Sequence, residues 1–260
     1  MALINLTTGE LSAWVGSIIW PFIRIGSMLL SAPMFGANTV PVTVRLGLSL
    51  VLAWAIHPYI PAPPPIDAVS VEGALITAYQ ILIGVAMGLI VQTLFSTLVI
   101  AGQAVALSTG LGFATLVDPQ NGVQVPVVSQ YYVIIGTLLF LNFNGHLLLV
   151  DMLVRSFHWL PVGLIGLDRS SLWAIATWGS HMFALGLLIA LPAVAALLLV
   201  NLAFGVITRA APQLNIFAVG FPMTIFLGFV LIGLSLPSLL PKFSHLMGQT
   251  FLLMSRVLGG

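Results

Sequence analysis

The chain has 260 residues, of which 60% are hydrophobic and 5% are charged, whereas roughly a quarter of an ordinary soluble domain is charged. Seven basic and six acidic side chains are too few to cover a soluble protein of this size, so water is excluded as the main solvent of its surface. The net charge of +1 offers no basic patch for nucleic acid, and the lack of cysteine excludes disulfides and thiolate metal sites.

Several uncharged runs are each long enough to cross the roughly 30 Å hydrocarbon core of a bilayer as a helix. They cover residues 25 to 44, 46 to 66, 73 to 117, 119 to 150, 170 to 208 and 210 to 241. Backbone amides in lipid must be paired within the segment, and the runs lack the alternation of a membrane barrel. The predicted fold class is therefore all-α, an integral membrane protein with one membrane domain over residues 1 to 260.

The first two predicted helices end at prolines. The first covers Leu11 to Leu30 and ends before Pro33, because a proline pushes the preceding residue out of the helical region. The second covers Val42 to His57 and stops at Pro58. Residues 61 to 65, which read PAPPP, then form a stiff extended connector, because consecutive prolines cannot donate helix hydrogen bonds.

Two predicted helices are too long for a simple span. A helix from Glu72 to Ser108 would measure about 55 Å at ~1.5 Å per residue, well beyond one hydrocarbon thickness. Residues 170 to 208 are over-long in the same way, and Pro192 is expected to kink this helix because it deletes one backbone hydrogen bond. Both segments are expected to tilt, bend or leave the bilayer.

Residues 110 to 122 interrupt the apolar helices with the sequence GLGFATLVDPQNG. Its glycines, its proline and its Asn-Gly pair break a helix. Non-helical backbone at membrane depth occurs only where protein buries it or a water-filled cavity adjoins it. Two interpretations remain open, an ordinary turn outside the membrane and a packed functional loop. Phe113, Leu116 and Val117 favour the packed loop.

Two charged features adjoin the apolar runs. Arg24 has no acidic residue at positions 20, 21, 27 or 28. An isolated charge at such a depth faces protein or water, so Arg24 is a candidate for contact with another subunit, and snorkelling to the membrane surface is the alternative. Asp151 and Arg155 are expected to pair, because residues four apart lie on one helical face.

Gly84 and Gly88 form a G-x-x-x-G pattern. Two small residues at this spacing would let another helix approach closely. The same pattern also arises by chance in glycine-rich apolar helices, and both interpretations remain open.

No catalytic arrangement is evident in the sequence. His146 and Asp151 form an H-x4-D pattern that suggests an acyltransferase, but residues five apart on a helix point about 140° away from each other. The histidines include no H-x3-H pair, so no metal site is predicted. We therefore expect the chain not to be an enzyme and to need no cofactor.

Three stretches resemble the FliR family of type III export-gate subunits. Residues 108 to 119 read STGLGFATLVDP, similar to a family loop with glycine, phenylalanine and an Asp-Pro pair. Residues 139 to 146 read LFLNFNGH, close to the apolar run that ends in F-N-G-H in the family. The strongest match is residues 201 to 222, which read NLAFGVITRAAPQLNIFAVGFP. With similar length and hydropathy, the resemblance covers nearly the whole chain.

The resemblance implies a place in an assembly. A FliR-like chain would close a helical ring of FliP and FliQ subunits, through which unfolded export substrates cross the bacterial inner membrane in the flagellar basal body. FlhB would wrap the entrance, FlhA is a further expected partner, and membrane lipid would surround the complex. Residues 1 to 165 would be FliP-like, and residues 166 to 260 would be a FliQ-like helical hairpin.

The resemblance also implies roles for individual residues. The loop that matches residues 110 to 119 would lie in the pore as its plug, an apolar constriction that excludes water and ions until substrate displaces it. The plug residues would be Gly110, Leu111, Gly112, Phe113, Ala114, Thr115, Leu116, Val117, Asp118 and Pro119. The residues expected in subunit contacts or structural roles are Arg24, Asn144, Arg209, Pro212, Gln213, Asn215, Gly220 and Pro222.

Two alternatives to a flagellar export gate remain open. An injectisome subunit is related around Arg209, and the ending Gly220-Phe221-Pro222 is the feature that favours the flagellar system. A small-solute secondary transporter or channel would also be apolar and rich in glycine. Ion-coupled transporters place carboxylates within their spans, and only Asp151 is arguable as such a residue here.

Overall fold

The computed structural model describes residues 8–36, 40–111, 126–211 and 216–260, and within them the side chains of residues 8–13 and 216–218 are not described. These residues form α-helices and one short 3-10 helix, and the described part of the chain contains no strand. The α-helices are α1 Thr8–Ser31, α2 Val42–Ile56, α3 Val71–Thr109, α4 Val127–Asn142, α5 Gly145–Trp159, α6 Arg169–Ala210 and α7 Ile216–Val257. The predicted all-α class is confirmed.

The helix ends predicted from proline and glycine agree with the structure to within a few residues. The second predicted helix becomes α2, followed by the 3-10 helix His57–Tyr59, which contains Pro58. The predicted over-long third helix is α3, with 39 residues. At ~1.5 Å per residue it measures about 58 Å, so it exceeds one hydrocarbon thickness as expected.

Several helices are long and apolar enough to cross a membrane. Within the described residues they are α1, α2 together with the 3-10 helix that follows it, α3, α6 and α7, and a sixth span results if α4 and α5 together form one broken span. The break between α4 and α5 lies at Phe143 and Asn144, and Asn144 adopts left-handed backbone angles (φ 56°, ψ 29°). Asparagine tolerates this conformation better than most residues, because its short polar side chain can bond locally.

Helix α6 begins next to an exposed carboxylate. The Asp168 side chain accepts hydrogen bonds from the Ser170 hydroxyl at 2.6 Å and from the Ser171 backbone N–H at 2.8 Å. These hydrogen bonds lower the pKa of Asp168 to about 2, and the bond from Ser170 contributes most to this shift. The carboxylate satisfies one of the N–H groups that a helix leaves unpaired at its start, which explains why the helix begins here.

Helices α6 and α7 each contain 42 residues and internal prolines. Pro192, where a kink was expected, lies inside α6, and the residues on both sides of it remain in one helix. Pro222, Pro237 and Pro241 lie inside α7. Each proline lacks an N–H, so the carbonyl four positions earlier needs another donor.

The chain divides into two compact units. Unit 1 contains Met1–Thr93, Asn144–Trp178 and Gly248–Gly260, and unit 2 contains Leu94–Phe143 and Gly179–Met247. The core of unit 1 includes Trp20, Ile25 and Met28, which are at most 1% exposed. The predicted division into a FliP-like part and a FliQ-like part near residue 165 is a different boundary and stays a prediction.

Unit 2 has a core of aromatic and aliphatic side chains. Phe95 and Phe140 pack with their ring centroids 5.7 Å apart, and Phe143 stacks on Phe243 at 6.5 Å. The Ser129 hydroxyl donates a 3.0 Å hydrogen bond to the Val99 carbonyl and so links α4 to α3. The contacts of Phe95 and Val99 hold the C-terminal half of α3, which ends at Thr109.

Candidate functional site

The end of α3 is the start of the predicted plug loop. The helix ends at Thr109, and Gly110 has a φ of +83°. Glycine adopts this left-handed conformation without the steric cost that a side chain would add, and it commonly ends helices. The predicted break at Gly110 is therefore present.

Two side chains of unit 2 lie against the last carbonyls of α3. The Asn201 amide donates a long hydrogen bond, 3.5 Å, to the Ser108 carbonyl. The Thr224 hydroxyl lies 3.0 Å from the Phe221 carbonyl oxygen and 3.5 Å from the Thr109 carbonyl oxygen. The last carbonyls of a helix have no donor within the helix. The Asn201 amide supplies a donor for Ser108, whereas Thr224 has one hydroxyl hydrogen, which is directed mainly at Phe221 and lies at the longer distance from Thr109.

Close packing also holds this helix end. A Cβ atom added to Gly110 would lie 2.7 Å from Cε2 of the Phe221 ring, and one added to Gly228 would overlap the Thr109 side chain. Both glycines therefore permit an approach that alanine would prevent. We call Asn201, Phe221, Thr224 and Gly228, which surround Ser108, Thr109 and Gly110, the stem clamp.

Most of the predicted plug lies outside the described residues. Gly110 and the half-buried Leu111 are described, and the Leu111 N–H lies 3.5 Å from the Thr109 hydroxyl oxygen. Outside the description are Gly112, Phe113, Ala114, Thr115, Leu116, Val117, Asp118 and Pro119. The role of the loop as a plug stays a prediction.

The segment after α6 is described in part. Arg209 is exposed in the last turn of α6, which ends at Ala210, shortly before Pro212. Gly220 is buried and Pro222 is exposed, both inside α7. Pro212, Gln213 and Asn215, which were expected to form a tight turn, lie outside the described residues. Asn144 is described, and it is exposed.

Arg24 lies in the interior of unit 1. Its side chain is 0% exposed. Its Nε donates to Gln80 Oε1 at 2.7 Å, its Nη1 to the Ser156 hydroxyl at 3.1 Å and its Nη2 to the Leu160 carbonyl at 2.8 Å. The guanidinium also lies over the Phe157 ring, 4.1 Å from its centroid, a favourable position for a cation.

This geometry corrects both sequence-based interpretations of Arg24. Contact with another subunit and snorkelling each required the guanidinium at a surface, and the structure places it among α1, α3 and the end of α5. Sequence spacing indicates partners one helical turn away, and charge indicates acidic partners. Gln80 and Ser156 are neutral and distant along the chain. Gln80 is marked in the sequence only as a polar residue within an apolar run, and Ser156 follows Arg155 outside these runs.

The G-x-x-x-G pattern forms a close helix contact within the chain. A Cβ on Gly84 would overlap the Ser27 hydroxyl and the Arg24 carbonyl oxygen. A Cβ on Gly88 would overlap the Ser31 hydroxyl and lie 2.8 Å from the Met28 carbonyl oxygen. These two glycines let α3 approach the backbone of α1, which places Gln80 within reach of Arg24.

Asp151 and Arg155 form an ion pair on the surface of α5. Arg155 Nε lies 2.8 Å from Asp151 Oδ2, and both side chains are about half exposed, so the predicted pair is confirmed. His146 and Asp151 lie on the continuous helix α5, where they point in different directions. Within the described ranges, no group of three metal-ligating side chains comes together.

Comparison with known proteins identifies relatives along nearly the whole chain. The family described as "Bacterial export proteins, family 1" matches residues 15–250. The chain is 36% identical over 256 residues to a protein named "Flagellar biosynthetic protein FliR" from Escherichia coli strain K12, and 37% identical over 257 residues to one of that name from Pectobacterium carotovorum; each alignment covers 98% of both chains. A further protein of that name, from Aquifex aeolicus, is 34% identical over 221 residues, 85% of each chain.

Proposed function

The chain belongs to the family of bacterial export proteins that includes FliR, and from this premise we propose that it is a structural and gating subunit of the flagellar type III export gate. The observation that carries the proposal is the similarity to FliR proteins over 98% of the chain. Neither the family description nor the names of these relatives describes an enzyme. The expected location is the bacterial inner membrane, within the flagellar basal body.

The proposed partners are FliP and FliQ subunits, with FlhB at the entrance and FlhA nearby. Exposed apolar surface on the isolated chain supports this part of the proposal. Val51 and Trp54 of α2 are 61% and 76% exposed, and Leu234 of α7 is 73% exposed. Large apolar side chains exposed to this extent on neighbouring turns of a helix mark surface that lipid or another protein covers. Helices α6 and α7 would be the FliQ-like hairpin, after a FliP-like part that ends near residue 165.

The proposed gate is the loop at residues 110 to 119, which would plug the pore until an unfolded substrate displaces it. The stem clamp supports this proposal, because it fixes the point at which the loop leaves α3. A loop with a fixed stem and glycines beyond it can move as a hinged segment while its base stays in place. Gating by such a loop requires no general acid and no nucleophile.

A small-solute transporter is a weaker alternative for this chain. The one carboxylate that was arguable as a residue for ion coupling, Asp151, is half exposed and paired with Arg155. Such a pair is already neutralised and has no need to bind a coupling ion. An injectisome gate subunit remains an alternative within the same export function.

Co-expression tests the proposed function. The chain should be produced with FliP and FliQ of the same source, and the purified complex should be measured by native mass spectrometry. We expect one defined complex that contains all three proteins. A chain that stays alone in detergent, and that binds and moves a metabolite, would contradict the proposal.

A further inference from the structure

A groove between α6 and α7 in unit 2 combines apolar walls with two polar side chains. Its volume is about 480 Å³. Leu185, Ile189 and Leu246 contribute apolar walls, and Lys242 and His245 face it from α7. Lys242 is half-buried and His245 is exposed. Residues three apart share one helical face, so the ammonium and the imidazole lie on the same side of the groove.

A carbonyl group that Pro192 leaves without a helix donor holds Lys242 in this groove. Because Pro192 has no N–H, the Leu188 carbonyl four positions earlier cannot receive its usual helix hydrogen bond. The Lys242 ammonium lies 3.4 Å from this carbonyl oxygen. A lysine has three N–H donors, so two of them remain to bind a ligand in the groove. The carbonyl thus positions the charge without neutralising it.

Lys242 follows a long uncharged run of α7. From Ile216 to Pro241 the helix carries no charged residue, a length of about 39 Å at ~1.5 Å per residue. Lys242 is the first charge after this run. A lysine that follows an uncharged run of this length can place its ammonium at the level of the lipid headgroups, where phosphates are found, although α7 itself continues to Val257.

The surface of α6 next to the groove continues as exposed apolar side chains. Leu187, Leu188 and Leu191 are 55–56% exposed. Further along the same helix, Leu198 and Leu202 are 59% and 67% exposed. A lipid acyl chain would cover this row of exposed leucines, which runs from Leu187 to Leu202 without a charged residue.

We infer that this groove binds an anionic phospholipid, with the headgroup phosphate between Lys242 and His245 and an acyl chain along the leucines of α6. A second copy of the chain or a partner helix would also cover apolar surface. An anionic lipid is favoured because one molecule carries both a negative group to pair with the ammonium and a hydrocarbon chain to cover the exposed leucines of α6. Binding of lipid in this groove does not depend on whether residues 110 to 119 plug a pore.

Lipid retention by the full chain tests this inference. The purified protein is returned to bilayer discs of phosphatidylcholine with a minor fraction of phosphatidylglycerol, released into mild detergent, and examined by native mass spectrometry. We expect the wild-type protein to retain phosphatidylglycerol in preference to phosphatidylcholine. Lys242→Gln should lose most of this preference, whereas Lys242→Arg, which keeps the charge, should retain it.

A matched control separates the groove from general charge effects. Arg256→Gln removes an exposed cation of α7 outside the groove and should leave lipid retention unchanged. His245→Gln provides a second variant if Lys242→Gln fails to fold, and it should reduce retention severalfold. Addition of glycerol phosphate should not displace the lipid, because the acyl chain contributes to binding. Equal retention of the two lipids, or unchanged retention in both groove variants, would overturn the inference.

Discussion

The Nε of Arg24 donates a 2.7 Å hydrogen bond to Oε1 of Gln80, a residue 56 positions further along the chain. Both side chains are 0% exposed. This bond joins α1 to α3 at the level where Gly84 lets the two backbones approach. The same guanidinium reaches Ser156 and Leu160, so one side chain ties three segments of unit 1 together.

Replacing Arg24 should destabilise unit 1. Arg24→Ala removes hydrogen bonds from a charged donor, each worth about 1.5–3 kcal/mol, and leaves buried acceptors without partners. We expect a loss of at least ~3 kcal/mol, measured as a lower melting temperature in detergent. Arg24→Lys should not restore stability fully, because an ammonium cannot reach three acceptors in the planar arrangement of a guanidinium.

The matched control for Arg24 is Arg155→Ala. Arg155 pairs with Asp151 at an exposed site, and such pairs contribute about 0–1 kcal/mol. Equal melting temperatures for Arg24→Ala and Arg155→Ala would contradict the structural role of Arg24.

Gly84→Ala should force α1 and α3 apart. The added Cβ meets the Arg24 carbonyl oxygen, and backbone cannot move aside as a flexible side chain can. Overpacking of this kind costs about 1–3 kcal/mol. Gly205→Ala in α6 is the control, because a Cβ there meets nothing within 4 Å. It should be neutral or stabilising, since alanine favours a helix over glycine. The melting temperatures of the two variants, measured under the same conditions, test this prediction. An unchanged melting temperature in Gly84→Ala would refute the close contact.

Pro192 and Lys242 should be energetically coupled. Lys242→Ala removes the donor to the Leu188 carbonyl, whereas Pro192→Ala supplies a backbone N–H that can replace it. The cost of Lys242→Ala should therefore be smaller in the Pro192→Ala background, by about 0.5 kcal/mol for so long a hydrogen bond. A double-mutant cycle of unfolding free energies measures this coupling, and additive effects would show that the two residues act independently.

Changes in the stem clamp should loosen the proposed gate. Phe221→Ala removes the ring that packs on Gly110. The point at which the loop begins, at the end of α3, should then be held less firmly. We expect a severalfold higher ion leak through membranes that contain the assembled complex, measured as the decay of a potassium gradient. Phe226→Ala is the control, because Phe226 is 62% exposed on the same helix. A similar leak in both variants would argue against a specific role for the clamp.

Helix positions were accessible to sequence reasoning because they depend on local chemistry. Pro58 and Gly110 end or interrupt helices through their own backbone restrictions, and the uncharged runs between them fix the fold class. The helix from Glu72 to Ser108 was predicted almost to the residue, since its ends are marked by an acidic residue and a glycine.

Partners across the fold were not accessible in this way. Arg24 bonds to Gln80 and Ser156, which only the packing of α1, α3 and α5 brings together. Lys242 stands in the sequence as a lone lysine, and its role depends on a carbonyl freed by a proline in another helix. Asn201 and Thr224 likewise act on the end of α3 through tertiary contacts. A single sequence carries no signal for pairs at such separations beyond the presence of a polar residue in an apolar run.

Gating of a protein-conducting pore by this chain is tested most directly by the ion conductance of an assembled complex that lacks residues 110 to 117 of the proposed plug loop. The deletion complex and the wild-type complex should first be shown to have the same protein composition by native mass spectrometry. We predict that the deletion complex conducts ions strongly in planar bilayers while the wild-type complex stays closed. A deletion complex that assembles fully and remains as tight as the wild type would contradict the account.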